Sequence, residues 1–130
     1  AALKSFTELA KMDHLIYKFE IYKVLTGVSA KRAEEFASHT ACRLGKWYYE
    51  GEGKQCFADL DGYRAMEKPH GEVHQFGREA VNLHHKGEMI AATAQLARME
   101  AASAEVLSCL ERMSVHGQNS PDILCLDHAA

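Results

Sequence analysis

Residues 89–113 read MIAATAQLARMEAASAEVLSCLERM, and this stretch decides the fold class. Its residues Met89, Ala92, Leu96, Met99, Ser103, Val106, Leu110 and Met113 alternate spacings of three and four. That is a period of about 3.5 residues, suited to packing one helix along another. Working backwards, Gly87 is a stop signal, and Pro69 sits where a first helical turn tolerates it, so a second helix is expected from Pro69 to about Lys86. Leu3, Phe6, Leu9, Ala10, Ile16, Tyr17, Ile21 and Val24 fall mostly three, four or seven apart, which predicts a helix over 3–25 ended by Gly27. Between these lies a short helix, with Thr40 as its cap and Tyr49 near its end, stopped by Gly51-Glu52-Gly53. Residues 29–40 are polar and charged and read as a loop or a short helix. Past Ser114, Gly117-Gln118-Asn119-Ser120-Pro121 breaks the last pattern, so 1–114 is read as the domain and 115–130 as a tail.

No stretch alternates apolar and polar residues long enough for a convincing strand, and no repeat is visible. The expected fold is therefore all-α: an antiparallel, up-and-down four-helix bundle with a short extra helix that carries Cys42. The composition agrees. The chain has 130 residues, 47% hydrophobic and 25% charged, with 9 Gly and 2 Pro, enough for one domain with a real core. Its formal charge of −3 gives no cationic surplus for a nucleic-acid backbone. There is no apolar run of bilayer length and no signal-peptide order, so a cytoplasmic location and no membrane insertion are expected. The four Cys, at 42, 56, 109 and 125, lack paired spacings and read as thiols. The first residue is Ala, which fits a piece of a longer polypeptide.

Eight His stand in the chain. His70 and His74 are four apart, which puts both imidazoles on one helix face a turn apart, able to chelate. His14 lies on the apolar stripe of the first helix beside Ala10 and Tyr17, where an imidazole needs a polar partner. Cys42 stands near the start of the short helix, where backbone N–H groups and the helix dipole would favour its thiolate. Three nitrogens and one sulfur suit tetrahedral Zn²⁺, and four protein ligands would leave no open position for an activated water. The pair is not the metalloprotease arrangement, because Gly71 follows the first His where that motif has Glu. Each residue also has a plain structural reading: a solvated His pair, a core His bonded to a carbonyl, a buried small thiol.

Together the residues resemble the chemoreceptor zinc-binding domain family, whose pattern is a His on the first helix, then Cys-x-Leu-Gly-x-Trp, then His-x-x-x-His. This chain has His14, then Cys42-Arg43-Leu44-Gly45-Lys46-Trp47, then His70-Gly71-Glu72-Val73-His74. The match covers most of 10–77, with Ile16 where the family usually has an aromatic residue or Leu. The resemblance implies a four-helix bundle that binds one zinc through His14, Cys42, His70 and His74, usually as a homodimer. It also implies a regulatory module of a longer signalling polypeptide, a methyl-accepting chemotaxis protein or a diguanylate cyclase, in which zinc occupancy or Cys oxidation alters the attached domain. Two other classes are weighed against it. A di-iron enzyme calls for repeated Glu-x-x-His, which is missing, and a purely structural dimerisation bundle would rest on the seam at 89–113. Asp13 and Glu20 could orient an imidazole or form a salt bridge to a Lys or Arg on a neighbouring helix, and Gly45 and Trp47 read as packing residues. His39, close to Cys42 in sequence, is a candidate for a substitute ligand.

Overall fold

The structure is a computed structural model that describes residues 2–120. Its elements are α1 (Ala2–Leu25), one 3₁₀ turn (Ala33–Glu35), α2 (Arg43–Tyr49), α3 (Glu52–Cys56), α4 (Tyr63–His85) and α5 (Met89–Gln118), with no strand among the described residues. The cross-contacts give their directions. Along α1, Lys11 meets Glu111 at 2.8 Å, His14 meets Ser103 at 2.7 Å and Lys18 meets Glu100 at 2.7 Å, so α5 runs back along α1. The Tyr17 and His74 rings lie 4.3 Å apart, and Gly77 faces Ile21, so α1 and α4 advance together. The chain between them returns: Phe36 sits against Tyr17, whereas Trp47 stacks on Phe6 at 4.5 Å near the start of α1. The order is up, down, up, down, and in the second position only α2 and α3 are fully α-helical.

The core explains this arrangement. Ile21 and Val24 of α1, Met66, Val73 and Val81 of α4, and Met99, Val106, Leu110 and Met113 of α5 are fully buried. From Met99 to Met113 the 3.5-residue seam of α5 is thus consumed inside the chain, with its one polar member, Ser103, buried too, while Met89 at its start stays exposed. The apolar residues of α1 divide between two faces. Ala10, Ile21 and Val24 turn inward, while Leu9, Met12, Leu15, Ile16 and Phe19 stay 41–63% exposed.

Four sequence expectations shift. Cys42, not Thr40, caps α2, its Sγ accepting from the Gly45 N–H at 3.4 Å. The expected stop after Tyr49 is followed by another short helix, α3. Pro69 lies inside α4 instead of opening it: Tyr63 stacks on Tyr48 at 4.1 Å and donates its hydroxyl to the Tyr48 carbonyl, and with buried Met66 this anchors the turn ahead of Pro69. Tertiary contacts there outweigh one lost backbone donor. Finally, α5 continues to Gln118, past the boundary expected at Ser114, and its last turn lies against Leu3 of α1 at Gly117. Residues 121–130 of the expected tail lie outside the described residues.

Candidate metal centre

The return segment and α4 build the site. Residues 38–42 form a turn in which the backbone N–H groups of Ala41 and Cys42 donate to the Ser38 carbonyl, and Gly45 makes the turn possible. A Cβ at Gly45 would fall 1.8 Å from the His39 carbonyl oxygen, an impossible approach for any larger residue. Cys42 is thereby presented to α4. Its Sγ lies 3.4 Å from His70 Nε2 and also donates to the His39 carbonyl at 3.5 Å. One turn on, His74 points to the same place, with its Nδ1 bonded to the Ala37 carbonyl at 2.8 Å, which leaves Nε2 free. The ligand atoms of Cys42, His70 and His74 all lie within 4.8 Å of one another.

These distances test whether a zinc ion fits. With bonds of about 2.3 Å to sulfur and about 2.0–2.1 Å to nitrogen, a tetrahedral ion sets sulfur and nitrogen about 3.5 Å apart and imidazole centres about 5 Å apart. The chain has 3.4 Å for Cys42 to His70 and 5.0 Å between the His70 and His74 rings. The donors fit the group. The hydrogen bond at His74 Nδ1 also fits a ligand whose second nitrogen is held by an acceptor.

His14, the fourth residue expected, lines the same cavity of about 320 Å³ as Cys42, His70 and His74. It stands outside the tight group of three, its Nε2 bonded to the Ser103 hydroxyl of α5 at 2.7 Å. His39 is the imidazole that sequence reasoning set aside: its ring centre lies 5.6 Å from that of His70 and 6.4 Å from that of His74. It packs over Gly71 and lines an outer cleft that shares His74 with the cavity. Its place three residues before Cys42 was the only available signal.

Burial dominates the electrostatics. It pushes His14 and His74 down to about 4 and His70 to about 3; Lys18 beside His14 and Arg78 beside His74 add to the effect, and the bond to the Ala37 carbonyl opposes it at His74. All three rings are neutral at pH 7 and ready to donate lone pairs. Burial likewise raises the Cys42 thiol, against the opposing pull of the Gly45 and Leu44 N–H groups. The thiolate expected from the helix start is therefore not favoured by the protein alone, because desolvation of the charge outweighs two or three weak hydrogen bonds. Cys42 and Cys109 are free thiols, whereas Cys56 is disulfide-bonded, which corrects the reading of all four as thiols. Cys125 lies outside the described residues.

Asp13 pairs with Arg43 of α2 at 3.0 Å, the salt bridge to a neighbouring helix that was expected, whereas Glu20 pairs with Lys23 of its own helix at 3.1 Å. Trp47 fills the space between Phe6 and Phe57, as a packing residue should. His85 and His116 lie away from the cavity, bonded to the Lys31 carbonyl and the Asp61 N–H. The family model described as the chemoreceptor zinc-binding domain matches residues 14–81. No curated protein and no solved structure matches the chain.

Proposed function

The chain belongs to the chemoreceptor zinc-binding domain family, and from that premise we propose that it is a cytoplasmic regulatory module that holds one Zn²⁺ through His14, Cys42, His70 and His74 and reports to an attached signalling domain of a longer polypeptide. The observation that carries the reading is the convergence of Cys42, His70 and His74. When bound, zinc supplies a cross-link between elements distant in sequence, worth on the order of 10 kcal/mol in small structural sites. The protein's part is to keep three imidazoles neutral and buried, and to hold the sulfur on the least regular stretch of the fold.

That placement supports a signalling role for Cys42. The thiol is half-buried, on a segment whose helices have 7 and 5 residues, and the same Sγ caps α2. A Cys42 thiolate that attacks hypochlorous acid becomes a sulfenic acid, the chlorine leaving as chloride, and the site then loses its sulfur donor and α2 its cap together. The His residues stay in place on long helices. Loss of zinc and oxidation of Cys42 thus converge on one outcome, loosening of the return segment.

A homodimer completes the proposal. Leu9, Met12, Leu15, Ile16 and Phe19 present on the order of 500 Å² of apolar surface on one side of α1, at the upper end for a monomer and most of one half of a standard interface. A second copy of the chain is the occupant proposed, and Ile16 places that face at the rim of the metal cavity.

Hydrogen exchange tests the signalling claim. Protection across residues 29–56 is expected to fall on zinc removal and on hypochlorite treatment, while the middle of α5 keeps its protection. Equal protection in all three states would dismiss the mechanism.

A further inference from the structure

Ser103 sits in the apolar seam of α5, between Met99 and Val106, and is 1% exposed. A hydroxyl there is costly unless it is bonded. Its partner is His14, 7% exposed, whose Nε2 lies 2.7 Å from Ser103 Oγ. This contact is the middle of three polar links between α1 and α5. Lys11 to Glu111 lies on one side of it, and Lys18 and Tyr22 to Glu100, at 2.7 and 2.6 Å, lie on the other. The outer links fix the register of the two helices, and the buried middle one fixes the angle of the His14 ring.

We infer that Ser103 is the positioning residue for the His14 ligand, and that this hydrogen bond ties the metal site to α5. The inference rests on the reading of His14 as the fourth ligand. With Nε2 engaged, Nδ1 is the ring nitrogen left for coordination. The arrangement mirrors His74, where the Ala37 carbonyl engages Nδ1 and leaves Nε2, and ligating imidazoles generally have their second nitrogen held in this way. The side-chain hydrogen bonds of Cys42, His70 and His74 run to one another, to His39, to Ala37 and to Gly45, all on the return segment or α4. Among the described residues, Ser103 is therefore the α5 group bonded to a proposed ligand. A change in the coordination of His14 reaches the longest helix of the fold through it.

The test uses the full chain as wild type, Ser103→Ala and Ser114→Ala, the last a buried serine further along the same helix. Zinc affinity is measured by chelator competition, and long-range ¹H–¹⁵N spectra report the state of each imidazole. The expected result is His14 ligated through Nδ1, with a slowly exchanging Nε2–H, in wild type and Ser114→Ala. In Ser103→Ala that proton is expected to exchange too fast to be seen, and zinc to bind about 10–100-fold more weakly. If His14 is ligated in the wild type yet Ser103→Ala keeps its spectrum and affinity, or if Ser114→Ala weakens binding equally, this inference is overturned and the metal site stands. A His14 ring free of metal in the zinc-loaded wild type would overturn the four-ligand reading itself.

Discussion

Zinc uptake by the folded, metal-stripped chain is predicted to release about one proton per ion from pH 5.5 to pH 8. The number follows from the site. His14, His70 and His74 are held at about 4, about 3 and about 4, so none carries a proton across this range. Cys42 is raised, so it is a thiol throughout and must lose its proton to ligate. One proton per ion makes the affinity change about tenfold per pH unit. Three imidazoles with the ordinary value of about 6.5 would instead release close to four protons in all at pH 5.5. The assay is isothermal titration calorimetry in pairs of buffers with different ionisation enthalpies, repeated with Cys42→Ser, which should bring the count near zero. A wild-type count of three or more at pH 5.5, or of zero at pH 7, would refute the burial argument.

Acid should destabilise the metal-stripped protein. The imidazoles protonate more readily when unfolded, so stability is full above about 6.5 and is lost as pH falls towards about 4. At pH 5 the loss is about 2 kcal/mol per imidazole, read by urea unfolding at pH 7 and pH 5; equal stability at the two would contradict it. Gly45→Ala should cost about 3 kcal/mol or more and weaken zinc binding, because the new Cβ meets the His39 carbonyl and must displace the turn that presents Cys42; an unchanged melting temperature would show that the turn can yield freely. Trp47→Ala should cost about 3–5 kcal/mol through the space it leaves between Phe6, Phe57 and Tyr63, again by thermal unfolding, and a loss under about 1 kcal/mol would mean that the return segment collapses into the gap.

Much of this was legible in the sequence, for identifiable reasons. The seam from Met89 to Met113 is periodic because α5 packs inside the chain along most of that length, so pattern and burial coincide. The His70/His74 pair was readable because helical spacing alone sets the distance between residues four apart. Pro69 misled because a local rule for helix starts met a tertiary anchor at Tyr63. The cap at Cys42 was hidden because a sulfur is an unusual acceptor for a helix N-terminus, and Thr40 offered the commoner oxygen. The exposed side of α1 was not visible either: Leu9 and Ile16 share its apolar spacing with Ala10 and Val24, and periodicity does not tell a core from a docking face. Nor could spacing show that His14 is paired with Ser103, since that contact joins helices whose register depends on the whole fold.

The central claim is one zinc held by three nitrogens and one sulfur from these four residues. X-ray absorption at the zinc edge, with elemental analysis of the same purified sample, measures both parts. The account predicts about one zinc per chain, with one sulfur neighbour at about 2.3 Å and three nitrogens at about 2.0–2.1 Å, and with the sulfur signal gone in Cys42→Ser. A sample without stoichiometric zinc after exposure to the ion, or a shell without sulfur in the wild type, would contradict it.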